Sequence, residues 1–271
     1  MSLSVTILGC GPSGGVPRVD GAWGACDPGN PRNRRRRCSI LVRQEGPKGA
    51  TRVLVDTPPD LRESVLAANV RAIDGVLFTH DHADHTHGID DLRFFAVTQR
   101  KRIPVYFDAA TGKTIQSRFE YCFQGGRAGS GYPAILEPHE IAPPQPVTVE
   151  GPGGPVTCTP FWQSHGYTRS LGWRFGRIAY SPDAVALADE SVPLLEGLDL
   201  WIVDALRYQP HPGHFSVSEA LAWIKRLKPK RAVLTHMLHD LDYETLKREL
   251  PHHVEPAYDG LRIEIADAGE V

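Results

Sequence analysis

The chain has 271 residues, 41% of them hydrophobic, and a formal charge of −2, an ordinary globular composition that excludes neither acidic nor basic partners. No apolar run approaches the ~18 residues of a membrane span, and the N-terminus lacks the basic and apolar regions of a secretory signal, so a cytoplasmic protein without membrane association is expected. Five cysteines (Cys10, Cys26, Cys38, Cys122 and Cys158), odd in number and irregular in spacing, argue against a disulfide framework.

Residues 4–9 read as a first strand running into a glycine-rich turn, Gly9-Cys10-Gly11-Pro12-Ser13-Gly14-Gly15. The turn contains G-x-G-x-x-G, but Pro12 interrupts the helix start that a dinucleotide loop needs, and no ribose-binding acid follows at the right distance. Residues 39–43 and 52–56 form a hairpin through Gly46-Pro47-Lys48-Gly49. Asp56-Thr57-Pro58-Pro59-Asp60 opens a helix to about Asn69, with the prolines tolerated in its first turn. A buried strand follows at 76–79, then helices at 88–99 and 111–123. Residues 125–155 are Gly- and Pro-rich and read as loop with one or two strands. Strands are expected at 155–159, 173–175 and 178–181, the last two as a hairpin turning at Gly176. Leu200–Asp204 and Arg231–Thr235 are strands flanking an amphipathic helix at 216–227, and a short helix at 243–250 precedes a closing strand at 261–265. Pattern alone gives an α/β or α+β class, as a single domain over residues 1–271.

The densest chemistry lies in Thr79-His80-Asp81-His82-Ala83-Asp84-His85, straight after the apolar strand. Neutral imidazole is a common metal ligand, and H-x-H-x-D-H offers four candidates: His80, His82, Asp84 and His85. Surface histidines at this density would repel one another on protonation and gain little from packing. A rigid strand feeding a ligand-rich loop gives a metal site its precision.

This run resembles the signature of the metallo-β-lactamase superfamily of metal-dependent hydrolases. The resemblance implies a four-layer αββα sandwich with metals at one edge of two mixed sheets. It also implies further ligands in the order histidine, aspartate, histidine. His165, Asp183 and His236 supply them, each after a short β run. Taken singly, Asp183 could cap a helix and His165 could be a satisfied interior histidine. The implied cofactor is two divalent ions, zinc or manganese, with iron not excluded. One would be held by His80, His82 and His165, the other by Asp84, His85 and His236, with Asp183 bridging. Such a pair holds a hydroxide between the ions and yields a nucleophile at neutral pH.

Leu8-Gly9-Cys10-Gly11-Pro12-Ser13-Gly14-Gly15-Val16-Pro17 resembles one branch of the superfamily, that of the phosphoribosyl cyclic phosphodiesterases, with ribonuclease Z and a quinone-cofactor biosynthesis protein nearby. The branch has a non-ligand histidine facing the scissile phosphate. Pro210-His211-Pro212-Gly213-His214-Phe215-Ser216 matches it best at His214, with His211 as competitor. Asp84 and His214 are therefore the expected catalytic residues, His214 also contacting substrate. Asp204 could hold the His214 tautomer or be a structural strand-end acid.

Asn30-Pro31-Arg32-Asn33-Arg34-Arg35-Arg36-Arg37-Cys38 carries five arginines, either as a solvated loop or as phosphate contacts, with Arg35 and Arg37 as candidates. Adjacent residues cannot all face one ligand. No aromatic interleaving supports base stacking, and no inserted arm for tRNA is apparent. A small phosphate-containing substrate is thus favoured over nucleic acid; a homodimer remains open. Members of the branch also hold a structural zinc through a cysteine cluster after a Trp-Gly pair and a histidine three beyond the last catalytic one. Only Cys26, after Trp23-Gly24, and His239 remain here, so no structural zinc is expected and Cys26 reads as a buried thiol. The expected activity is hydrolysis of a small cyclic phosphate or nucleotide diester. The alternatives are a ribonuclease Z-like nuclease, a lactonase or thioesterase, and a non-catalytic nucleotide- or metal-binding module.

Overall fold

The computed structural model describes residues 2–126 and 131–265. Two sheets organise it. The first runs, in spatial order, Arg262–Ile265, Leu3–Gly9, Ser39–Gly46, Gly49–Val55, Gly75–Leu77, Ile103–Phe107 and Leu136–Glu140. The second runs Ala186–Leu187, Val156–His165, Thr168–Phe175, Ile178–Ser181, Leu200–Asp204, Arg231–Thr235 and Val254–Pro256, with Val147–Val149 pairing beside Val156–His165.

Side-chain alternation makes the layers. Val5, Ile7, Ile40, Val42, Val53 and Val55 belong to the core shared with the second sheet. Leu8, Leu41 and Leu54 point the other way, packing with Leu61 and Val65 of the helix Leu61–Ala67. A period of two thus buries both faces of one sheet. The outer face of the second sheet is covered by the helix Val217–Leu227, whose Val217, Ala220, Ile224 and Leu227 lie at helical spacing and join its core. Ser216 caps this helix in a reciprocal capping box with Glu219. The result is the αββα sandwich. Among the described residues no helix is long and apolar enough to cross a membrane.

Several elements differ from the sequence reading. The stretch 88–99 splits into a 3-10 turn, Ile89–Leu92, and the helix Arg93–Gln99. The stretch 111–123 becomes Ala109–Arg118 and Glu120–Gln124, broken at Phe119. Ile103–Phe107 is a full strand absent from the sequence reading, and it contains Pro104, a residue that weakens a strand pattern. Val156–His165 continues as one strand up to its terminal histidine.

The parallel registers fix where function can gather. Ile178–Ser181, Leu200–Asp204 and Arg231–Thr235 are parallel neighbours, and Gly75–Leu77 is parallel to its neighbours in the other sheet. Their carboxyl ends meet at one edge, where open sheets build sites.

Candidate metal centre

Seven side chains converge there. His80, His82, Asp84 and His85 follow Gly75–Leu77, and His165 ends its own strand. Asp183 and His236 come just after Ile178–Ser181 and Arg231–Thr235. They fall into two groups of close donor atoms, His80/His82/His165 and Asp84/His85/Asp183/His236.

Asp183 stands between the groups. Its Oδ2 lies 3.9 Å from Nε2 of both His80 and His165. Its Oδ1 lies 3.1 Å from His85 Nε2 and 3.3 Å from His236 Nε2. His165 Nε2 is 3.4 Å from His82 Nδ1, and Asp84 Oδ2 is 3.5 Å from His85 Nε2. Tetrahedral donors at ~2.0–2.2 Å from an ion stand roughly 3.3–3.6 Å from one another, so these spacings suit coordination.

In His80, His85 and His165 the other ring nitrogen is already engaged, which sets their tautomers. His85 Nδ1–H donates to Asp56 Oδ2 at 2.7 Å. Thr79 donates its backbone N–H and its hydroxyl to Asp56, each at 2.8 Å, so Thr79 Oγ1 accepts from His80 Nδ1–H at 3.0 Å. His165 Nδ1–H donates to the Gly213 carbonyl at 2.7 Å. Each of these three rings is left presenting an Nε2 lone pair inward, as metal-ligating histidines do. His80 Nε2, His85 Nε2, His236 Nε2 and Asp183 Oδ1 are buried without any hydrogen-bond partner. Each such orphan costs about 1–3 kcal/mol. A cation in each of the two donor groups would satisfy all four, so the donor set fits metal ions.

Electrostatics agree. Burial, reinforced by neighbouring His85, holds the His80 imidazole well below its ordinary pKa, and burial lowers His165 too. Both are therefore neutral ligands. Burial opposes charge on His85, but Asp183, Asp84 and Asp56 outweigh it and raise its pKa well above the ordinary value, so a proton on Nε2 takes the place that a cation would fill among these carboxylates. Against their own burial, Asp183 is pulled well below the carboxylate range by His236 and His85, and Asp84 is lowered by His85 and His236. The backbone is strained here as well. Asp56, Asp183 and His236 adopt left-handed φ values of 63°, 49° and 59°, a conformation that costs non-glycine residues ~1–3 kcal/mol and concentrates at functional sites.

The groups open into a cavity of about 670 Å³ lined by His82, Asp84, His165, Asp183 and His236, with Ser13, Tyr167 and His214 on its walls. His214 Nδ1–H donates to Asp204 Oδ2 at 2.8 Å, leaving Nε2 as its free ring nitrogen. Asp204 is fixed in turn by the Ala184 N–H at 2.9 Å. His214 stacks on His236 with ring centroids 4.6 Å apart. His211 is also at the cavity, but its Nδ1 accepts from the Gly213 N–H at 3.1 Å, and among the described residues no carboxylate pairs with it.

A family model described as a beta-lactamase superfamily domain matches residues 51–237, more than half of the chain. The chain belongs to the metallo-β-lactamase superfamily. A crystal structure described as a new diphosphatase from the PhnP family superposes with a TM-score of 0.87 at 34% identity, covering 98% of each chain. The short form of human tRNase Z superposes at 0.66 and 20% identity, covering 96% of this chain and 98% of that one. The first, at 34% identity, places the chain beside the PhnP family, and the second, at 20%, shows a shared fold. A curated relative from Porphyromonas gingivalis (strain ATCC BAA-308 / W83), named octanoyltransferase, is 31% identical over 97% of this chain. The chain spans about half of that relative's length, 52%. The protein thus has the metallo-β-lactamase fold and a donor set suited to divalent metal.

The arginine segment requires a correction. Arg35 is only 2% exposed. Its Nη1 donates to the Leu238 and Met237 carbonyls at 2.9 and 3.4 Å, and its Nη2 donates to the Leu241 carbonyl and Asn33 Oδ1. This guanidinium is unavailable to substrate. It pins the loop that follows His236, and it also lies 3.8 Å from Cys26 Sγ. Arg37 is taken up by Asp60 at 2.8 Å and the Ser13 carbonyl at 3.1 Å, outside the residues that line the metal cavity. All five cysteines are free and buried. Arg35→Met should remove the guanidinium donors from three loop carbonyls, leaving that of Met237 unsatisfied, and cost about 1–3 kcal/mol of stability. It should also weaken metal retention by the group containing His236. Denaturant unfolding and metal analysis check this, and wild-type values in both would overturn the pinning role.

Sequence reasoning missed Asp56 and Thr79 as orienting groups. A buried acid ending an apolar strand was the available signal for Asp56. It also missed Tyr167, which is 96% exposed at the cavity rim.

Proposed function

We propose that the protein is a dinuclear metal-dependent phosphodiesterase acting on a small cyclic phosphate or a nucleotide. The observation that carries this reading is His214. It is a cavity-wall imidazole oriented by buried Asp204 and set beside the ligand cluster, with its Nε2 left free. Hydrolysis of lactones or thioesters on the same ligands has less need of such a group, whereas an alkoxide leaving phosphorus needs a proton.

Imidazole and carboxylate donors suit zinc or manganese, and iron as well. Two divalent ions in these groups would polarise a phosphoryl oxygen and lower the pKa of water towards ~7. The chain's own residues do the rest. Asp183 presents one oxygen to each donor group and holds the two in register. Asp84 lines the cavity as an ionised carboxylate and can accept a proton from the attacking water. To act as the acid His214 must be doubly protonated: burial holds its pKa below the ordinary value, and the hydrogen bond from Nδ1–H to Asp204 would stabilise the imidazolium whose Nε2–H passes to the departing alkoxide. A cavity of about 670 Å³ accommodates a nucleotide-sized ligand, and Tyr167 offers an uncovered aromatic face at its rim for a base or sugar. The diphosphatase described for the 34% identical structure supports attack at phosphorus.

Acyl chemistry is the competing reading, favoured by the name of the octanoyltransferase relative. The discriminating experiment offers the metal-loaded protein a bis-aryl phosphodiester, an aryl phosphomonoester, a precursor tRNA and an octanoyl thioester. The diester should be cleaved, with the monoester, the tRNA and the thioester far slower. Efficient thioester or lactone hydrolysis without diester cleavage would overturn the proposal. Preference for the tRNA would move the protein to RNA processing.

A further inference from the structure

We propose that the turn at residues 12–15 holds a phosphoryl oxygen in the metal cavity through the Ser13 hydroxyl and the Gly14 N–H, and that Arg37 positions this turn from outside. This rests on the phosphodiesterase reading and adds a contact to its site that belongs to no metal ligand. Ser13 lines the cavity together with His82, Asp84, Asp183 and His236. The turn is closed by the Gly15 N–H, which donates to the Pro12 carbonyl at 2.8 Å. Both of its flanks are tied down. Met237, the residue after His236, donates its N–H to the Cys10 carbonyl at 2.9 Å, which links the turn directly to the ligand cluster. Gly11 donates to the Arg36 carbonyl at 2.7 Å, and Val16 and Arg35 exchange backbone hydrogen bonds at 2.9 and 2.8 Å. Glycine is needed at 11 for this approach, since a Cβ there would stand 2.9 Å from the Arg35 carbonyl oxygen.

The donors of the turn are free and aimed. Ser13 and Gly14 are exposed, and among the described residues neither their N–H groups nor Ser13 Oγ has a hydrogen-bond partner. Arg37 sits outside the cavity lining and donates its Nε–H to the Ser13 carbonyl at 3.1 Å. In a trans peptide the carbonyl and the following N–H point in opposite directions. With the Ser13 carbonyl held on Arg37, the Gly14 N–H is directed away from the guanidinium. Asp60 fixes Arg37 in turn, its Oδ1 accepting from Nη1 at 2.8 Å and its Oδ2 from the Arg37 N–H at 2.9 Å. Asp60 stands at the N-cap of the helix Leu61–Ala67, yet its side chain makes no capping bond. It gives both oxygens to Arg37 where an N-cap aspartate ordinarily serves its helix. Donors fixed in advance are what stabilise charge developing on a phosphoryl oxygen. Arg37 thus acts on the substrate through a peptide plane, with its own charge already paired.

The test reads binding, so it does not depend on turnover. Inorganic phosphate is titrated calorimetrically into the metal-loaded protein, with metal content and circular dichroism followed in every variant. Ser13→Ala and Arg37→Ala should each weaken phosphate about tenfold while metal content stays at the wild-type level. The double variant should fall well short of the product of the two losses, because Ser13 can no longer be well placed once Arg37 is gone. Asp60→Asn separates orientation from charge. Removing a negative charge beside an anion site would tighten phosphate if Arg37 acted through its field. If Arg37 acts by orienting the turn, the same change should weaken phosphate, by about threefold. Absence of phosphate binding in the wild type, wild-type affinity in Ser13→Ala, tighter binding in Asp60→Asn, or single losses that multiply in the double variant overturns the proposal. If the losses follow as expected but no phosphodiester is hydrolysed, the phosphate contact stands and the catalytic reading falls.

Discussion

Asp183→Ala should strip both ions from the protein, not one. The expectation comes from the split geometry of a single carboxylate. Its Oδ2 faces His80 and His165, each at 3.9 Å, while its Oδ1 faces His85 at 3.1 Å and His236 at 3.3 Å. Removing it deprives each donor group of an anionic oxygen and lets four buried imidazoles crowd without a negative centre. The residue also sits at φ 49°, so alanine adds backbone strain that asparagine largely avoids. Asp183→Asn keeps the shape and the turn while removing the charge, and it too should lose occupancy at both positions, though less completely. Metal analysis after dialysis, with circular dichroism to confirm folding, makes the comparison. A folded Asp183→Ala protein that retains two ions per chain would falsify the bridging role.

What the sequence made legible divides along a physical line. His80, His82, Asp84 and His85 could be read because they are neighbours in the chain, and proximity in sequence guaranteed proximity in space. His165, Asp183 and His236 lie far apart in sequence, and each alone was ambiguous. Only the ordered set, through resemblance, grouped them, and the structure brings them to one edge. The layers followed from alternation such as Ile40-Leu41-Val42, where the outer leucine meets a helix and its neighbours meet the other sheet. The orienting roles were less accessible. Asp56 serves His85 from the end of a strand 29 residues earlier, and it reads in sequence like the start of a helix. Arg35 misled most. A run of arginines looks solvated or ligand-facing, yet this one is buried against carbonyls more than 200 residues away. Its neighbours alternate outward, and no local pattern says which of four consecutive arginines turns inward. That is decided by the loop after His236, whose backbone carbonyls need a donor.

His214→Ala should separate proton delivery from nucleophile formation. In the structure His214 is bound to Asp204 at 2.8 Å through Nδ1, and its ring stacks on the ligand-position His236. If its work is to hand a proton to the leaving group, its loss should leave the metals and the fold in place. The rate on a diester with a poor, alkoxide-like leaving group should fall about 10²–10⁴-fold. An activated aryl oxide departs without a proton, so that substrate should suffer far less. His82→Ala should be different in kind. It removes a donor that stands 3.4 Å from His165 Nε2, compromises the nucleophile itself and should depress both substrates together. Asp204→Asn should fall between wild type and His214→Ala on the poor leaving group, because it lets the imidazole adopt the wrong tautomer without removing it. Measuring kcat on both substrates for all three variants, alongside metal content, gives a pattern that a purely structural role cannot produce. If His214→Ala loses metal, or keeps its rate on the poor leaving group while His211→Ala collapses, the proton donor is His211 and the Asp204–His214 pair is a support for the loop.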